Sequence, residues 1–296
     1  MKTIMMIEPV SFGFNEETAA NNYFQKNQAI DHPQDKALEE FNRFVDRLKL
    51  HDIDVLVVKD TPTPLTPDSI FPNNWISIHE EGKMVLYPMF AKNRRQERKQ
   101  SVIDAVKANL NINEVIDFTH FEDNHQYLEG TGSMVLDRKN KIAYACLSER
   151  THQDLFASFC MMMNYKPVLF HAHDQRGLMI YHTNVLMCMA DQYVVICLDA
   201  VYDPNEKEQL IQEFAATQKE IIDISFDQMD HFCGNMLQVK NTGGEHFLVM
   251  SSQAYEHLTP EQIKQLESFQ PIIHSDIRTI ETLGGGSARC MMAELA

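Results

Sequence analysis

A chain of 296 residues with 44% hydrophobic and 23% charged residues has the make-up of an ordinary globular protein, not of a disordered one. Its 26 lysines and arginines face 42 aspartates and glutamates, a formal net charge of −16. That balance repels phosphate backbones and anionic lipid, so nucleic acid and membrane are excluded as natural partners.

The first ten residues, Met1 to Val10, hold a short apolar run interrupted by Glu8 and Pro9. They read as a buried first strand (Ile4–Ile7) rather than a signal peptide. Leu38, Phe41, Val45 and Leu48 then recur at helical spacing within Asp35 to Leu48. Ile53 to Val58 reads as a buried strand. Trp75 to Ile78 and Met84 to Leu86 read as a hairpin around Glu81-Gly82. A second helix is expected from Asn93 to Leu110. Strands at Val115–Phe118, Ser133–Leu136 and Ile142–Cys146 precede a helix from His152 to Met163. Strands at Val168–Phe170, Leu186–Met189 and Tyr193–Leu198 precede one near Glu206 to Ala215. Ile221–Ile224, Met236–Val239 and Phe247–Met250 follow, then a helix from Pro260 to Phe269. Pro271–Ile273 and Arg289–Met292 complete the strands. No linker or composition break divides the chain, so residues 1–296 read as one domain, with roughly five passes of strand, strand, helix, strand. No apolar run reaches the roughly 18 residues of a membrane span. The six cysteines form no CxxC pair, the usage of a reducing cytoplasm rather than of a disulfide framework or zinc site.

Five stretches carry chemistry. Cys290 follows three glycines in Leu283-Gly-Gly-Gly-Ser-Ala-Arg-Cys290. Glycines permit unusual backbone angles and close approach of a ligand, and Arg289 would favour the thiolate if it also adjoins the thiol in space. Alone, Cys290 reads as a core cysteine after a flexible loop. In Tyr181-His182-Thr-Asn184, the histidine and asparagine are two apart on a strand-like run and share a face, and histidine is the usual acid/base partner of a thiol nucleophile. Glu129 sits ahead of the turn Gly-Thr-Gly-Ser133, where no lysine follows to make it a phosphate loop. Pro67-Asp68-Ser-Ile-Phe71-Pro-Asn73-Asn74-Trp75 combines an acid, two amides and the single tryptophan. The basic run Lys92 to Lys99 sits at an expected helix start, against the dipole, which suggests an anionic partner for one of its arginines. His171-Ala-His173 lacks the further ligands of a metal site.

In this order the stretches resemble the guanidino-group modifying enzymes, the pentein or amidinotransferase superfamily. The citrulline-utilisation hydrolase branch is the nearest resemblance, with dimethylarginine dimethylaminohydrolases and arginine deiminases as relatives. The resemblance implies an α/β fold, a five-bladed pseudo-symmetric propeller of ββαβ units. It implies Cys290 as nucleophile, His182 as acid/base and Glu129 as its acid partner. Asp68 and Phe71 match the family's substrate-binding Pro-Asp-x-x-Phe-x-Glu-Asp pattern, in which Asn73 and Asn74 replace two carboxylates. Arg95 and Arg150 match the arginines that hold the substrate α-carboxylate, and Asn184 stands where arginine deiminases carry an aspartate.

A guanidinium is a planar cation that carboxylates bind by paired charged hydrogen bonds. A ureido group is neutral and presents a carbonyl acceptor beside its N–H donors. Asparagine, with one acceptor and one donor group, complements it. The three asparagines therefore point from arginine to citrulline. The expected reaction is hydrolysis through a covalent thiocarbamoyl intermediate, giving ornithine, ammonia and CO2 with no metal or cofactor. Arginine-type or methylarginine hydrolysis and amidino transfer stay open as alternatives with the same three catalytic residues. A purely binding role, as in ribosome anti-association factors of this fold, conflicts with the net charge and with the retained cysteine, histidine and glutamate. The partner is a small amino acid, and a homodimer is common for such scaffolds.

Overall fold

The structure is a computed structural model and describes residues 3–295. Strands β1 (Thr3–Glu8) and β2 (Val55–Lys59) run parallel, joined by helix α1 (Pro33–Lys49). Pro33 opens α1, where its missing N–H costs no intrahelical bond. Ala37, Phe41, Phe44, Val45 and Leu48 form its buried stripe. β3 (Ile76–His79) and β4 (Lys83–Leu86) make the expected hairpin, whose turn residues Glu81 and Gly82 have φ of 64° and 68°. Helix α2 (Gln100–Asn109) returns to β5 (Glu114–Asp117), parallel to β4.

The same order recurs. β6 (Val135–Asp137), β7 (Ile142–Cys146), α3 (Gln153–Met163) and β8 (Lys166–Phe170) form one unit. β9 (Met187–Met189), β10 (Tyr193–Ile196), α4 (Pro204–Ala216) and β11 (Glu220–Asp223) form the next. β12 (Leu237–Lys240), β13 (His246–Ser251), α5 (Pro260–Glu267) and β14 (Ile272–Ser275) form another. β15 (Ala293–Leu295) then pairs antiparallel with β1 and supplies the opening strand of the first unit.

The result is a mixed α/β fold. Among the described residues it has five separate three-stranded sheets, each with one antiparallel and one parallel pair and none closed on itself. An antiparallel pair needs only a tight turn, whereas a parallel pair needs a crossover, which each helix supplies.

Three expectations are corrected. Asn93 to Leu110 is not one helix: Arg94–Glu97 is a separate 3-10 turn, and Lys99, in an extended conformation, caps α2. His182 and Asn184 do not share a strand. His182 is extended and Thr183–Leu186 is a single helical turn ahead of β9. The apolar run after Arg289 is a buried turn, with β15 starting only at Ala293. That turn belongs to an apolar cluster with Phe71, Leu283, Ala288, Met291 and Met292, which seats Cys290.

Candidate active site

Each repeated unit carries chemistry at one place, just ahead of its opening strand. Asn73 and Asn74 lie in the 3-10 turn Pro72–Asn74 before β3. Glu129 caps the turn Gly130–Ser133 before β6, and His182 caps Thr183–Leu186 before β9. Asn235 precedes β12, and Cys290 precedes β15. Residues more than a hundred positions apart thus meet because equivalent turns converge.

The convergence is close. His182 Nε2 lies 2.8 Å from Glu129 Oε2, and both side chains are buried. Glu129 Oε1 accepts the Phe90 backbone N–H at 2.9 Å, and Arg150 Nη1 stands 3.5 Å from Oε2. Cys290 is 3% exposed. Its Sγ receives Nδ2 of Asn184 and Nδ2 of Asn235, each at 3.4 Å.

Burial alone would raise the Glu129 carboxyl. Arg150 and the His182 hydrogen bond overcome it and hold the group at about 2. Burial pulls His182 down to about 4, against the opposing pull of Glu129. At neutral pH the pair is therefore a carboxylate and a neutral imidazole. An ionised carboxylate only accepts, so the ring proton sits on Nε2 and Nδ1 is left as a base.

His182 and Cys290 line one cavity with Asp68, Phe71, Asn74, Arg94, Arg150, Tyr181 and Gly284 to Gly286. Its volume is about 10 Å³, room for roughly one water. Concavities of about 270 and 380 Å³ exist elsewhere, but Cys290, His182 and Glu129 line neither of them. The roof is the stretch Asn15 to Gln25. Asn15 Nδ2 donates to Asp68 at 2.8 Å, Asn22 Nδ2 to Gly285 O at 3.2 Å and Gln25 Nε2 to Leu283 O at 2.9 Å.

Asp68 Oδ2 accepts from Asn15 and Thr18, while Oδ1 has no protein partner. Burial pushes its carboxyl up, opposed chiefly by Arg94. Asn74 Oδ1 accepts Arg94 Nη1 at 2.8 Å, and Asn74 Nδ2 is unpartnered. Asn73 is fully buried with both side-chain atoms unpartnered, yet it is not among the residues that line the cavity. Asn184 reaches the sulfur with Nδ2, and its Oδ1 is unpartnered. Phe71 packs on the glycines: a Cβ on Gly284 or Gly286 would come within 2.8 or 2.9 Å of its ring. The permissive glycines thus serve this ring contact.

Arg95 is corrected. Its Nε donates to Met89 O at 3.0 Å and lies 3.5 Å from Glu122, outside the cavity. Its neighbour Arg94 is the arginine that faces inward, braced by Glu97 at 2.8 and 2.9 Å. Arg150 does line the cavity, but its guanidinium is engaged by Asn21 Oδ1, Thr18 O and Glu129. Arg289 turns from the sulfur to Met292 O at 2.8 Å and Glu294 at 3.6 Å. Sequence reasoning missed Arg94 and the roof residues Asn15, Thr18, Asn21 and Asn22. Three asparagines within eight residues were the available signal.

Residues 8–296 match the model of a family described as N,N dimethylarginine dimethylhydrolase, eukaryotic. A search of curated proteins finds no match. Among solved structures the chain is similar to ArgZ, an arginine dihydrolase from the ornithine–ammonia cycle in cyanobacteria. The TM-score is 0.79 at 16% identity, covering 100% of this chain and 41% of that one. AgrE gives 0.79 at 18% identity, with 100% and 39% covered. The chain thus spans about two-fifths of those two proteins. A dimethylarginine dimethylaminohydrolase variant, in adduct with S-methyl-L-thiocitrulline, gives 0.64 at 13% identity, with 99% of each chain covered. At such identities these structures show a shared fold.

Proposed function

This chain belongs to the N,N-dimethylarginine dimethylhydrolase family, within the pentein superfamily of guanidino-modifying hydrolases, and from that premise we propose that it hydrolyses the ureido group of citrulline or a close analogue. The observation that carries the reading is a pair of unpartnered atoms on the cavity wall: Asn74 Nδ2, a donor, and Asp68 Oδ1, an acceptor. A ureido group meets them with its carbonyl oxygen and an N–H. A guanidinium offers Asn74 Nδ2 only further donors, leaving a buried N–H unmatched.

In the proposed mechanism His182 Nδ1 takes the Cys290 proton and Sγ attacks the ureido carbon. The C–S bond forms, the C–NH2 bond breaks, and the proton from His182 leaves with ammonia. Water, deprotonated by His182, then cleaves the thiocarbamoyl intermediate. Cys290 regains its proton, and the released carbamate decomposes to ornithine and CO2. Glu129 fixes the tautomer and orientation of His182. Asp68, Asn74 and Phe71 hold the planar group, while Asn184 faces the sulfur. Arg94 and Arg150 supply the positive field for an α-carboxylate. An amino acid is far larger than the present cavity, so binding requires the Asn15 to Gln25 roof to part.

The five sheets read as blades of a pseudo-fivefold propeller around this cavity, and residues 1–296 as one catalytic domain. The support is that opening strands pack on one another, β15 on β3, β6 on β9 and β9 on β12. A second reading, hydrolysis of arginine or its methylated forms, draws support from the retained carboxylates Asp68 and Glu129 and from the family. Ornithine release from citrulline, assayed in parallel with citrulline and amine release from arginine and dimethylarginine, separates the two.

A further inference from the structure

Asn235 lies in Cys233-Gly-Asn-Met and is fully buried. Backbone groups hold both ends of its amide. Nδ2 donates to Asn184 O at 2.8 Å, and Oδ1 accepts the Arg289 N–H at 3.0 Å. These partners fix which end is nitrogen, since a flipped amide would set oxygen against a carbonyl and NH2 against an N–H. In this orientation Nδ2 also stands 3.4 Å from Cys290 Sγ, and Oδ1 lies 3.7 Å from it. Gly234 makes the approach possible: a Cβ there would sit 2.3 Å from Val185 O. The turn carrying Asn235 is thereby pressed against the turn carrying Asn184, whose own Nδ2 meets the same sulfur.

We propose that Asn235 is a thiolate-holding residue, which with Asn184 presents two neutral N–H donors to the nucleophile. Among the described residues no cationic side chain donates a hydrogen bond to Sγ. The negative charge that develops on sulfur is met by oriented amides, whose bonds to a charged acceptor are stronger than those to a neutral thiol. The thiol form is served by Oδ1, so one side chain matches both protonation states. The bond from Asn235 to Asn184 O makes the two donors one unit. This role deepens the proposed function and rests on Cys290 being its nucleophile.

The test is iodoacetamide alkylation of Cys290 in the native full chain from neutral to alkaline pH, read by mass spectrometry on the peptide that contains it. Asn235→Ser replaces the amide with a shorter hydroxyl that has no N–H donor. Asn235→Asp keeps the shape but faces the thiolate with a carboxylate. Thermal melts identify which variants fold, and either one suffices. The alkylation midpoint is expected to rise by about one pH unit or more in Asn235→Ser, and further in Asn235→Asp. On citrulline, kcat is expected to fall at least about tenfold with KM little changed. A midpoint within about 0.3 units of wild type in a folded variant overturns the proposal. Alkylation needs no substrate, so failure to turn over citrulline would count against the proposed function and leave this test standing.

Discussion

Gly132 lies so close to His182 that a methyl group on it would stand 2.8 Å from both Cε1 and Nδ1 of the imidazole. The same methyl would sit 2.3 Å from Asn74 Nδ2. The glycine is therefore a spacer between the His182 imidazole and the Asn74 amide. Gly132→Ala should displace both side chains. We expect kcat/KM to fall by about a hundredfold or more, as for a misplacement near 1 Å. The fold should survive, because the clash falls on side chains rather than backbone. Steady-state kinetics alongside a thermal melt checks this, and near-normal turnover in a folded variant would contradict it.

Glu129→Gln keeps the shape of the His182 partner but removes its charge. The imidazole then has no reason to keep its proton on Nε2, and the imidazolium formed during reaction loses its counter-charge. A loss of about 10³–10⁴ in kcat is expected, the scale seen when a buried acid partner of a catalytic histidine is neutralised.

The same pair sets the acid limb of the pH profile. His182 is held at about 4 and must be neutral to take the thiol proton. Activity of the wild type should therefore persist well below the ordinary histidine range and fall only as pH approaches about 4. A limb near 6.5, the ordinary value, would show that the imidazole is not desolvated as described.

Glu281 supplies an opposite pH dependence. Its Oε1 accepts the Ser287 hydroxyl at 2.5 Å, and burial pushes the carboxyl up to about 8 from 4.5. The folded chain keeps a proton that the unfolded chain releases between those values. Its contribution is thus intact below about 4.5 and is lost as pH rises through about 8. Glu281→Gln, which cannot ionise, should raise Tm at alkaline pH and leave it nearly unchanged at acid pH. The gain, on the order of a few kcal/mol, is readable in melts across this range.

Much of this site was legible because its chemistry is compositionally rare. A cysteine after three glycines, a His-x-Asn and a Glu before Gly-Thr-Gly keep their identity whatever the local conformation. The hairpin at Glu81-Gly82 was legible for a similar reason, since its turn needs positive φ. Other features depend on geometry that spacing does not encode. Arg94 and Arg95 are adjacent on a 3-10 turn, and which of them faces inward is decided by Glu97, which pairs with Arg94 from the same turn. The helical turns before β6 and β9 are four residues long, too short to show a period. Cys290-Met-Met reads as a strand because it is apolar, yet it is buried as a turn. Asn15 to Asn22 carries no periodic pattern, and only contacts with Asp68, Arg150 and Gly285 reveal it as the roof.

The choice of a neutral substrate over a cation rests on Asn74. Asn74→Asp would exchange the unpartnered donor on the cavity wall for an acceptor. Citrulline turnover should drop by roughly 10–100-fold, the cost of a mispaired buried polar group. Turnover of arginine should rise relative to citrulline. Equal losses on both substrates would mean that this amide does not read the planar group.

The most direct measurement is ornithine release by the purified protein given citrulline, with arginine and dimethylarginine in parallel and Cys290→Ala as control. Ornithine and ammonia are expected in equal amounts from citrulline, and none from the alanine variant. Turnover of arginine or methylated arginine with no ornithine from citrulline would contradict the proposed reaction, as would activity retained without the Cys290 thiol.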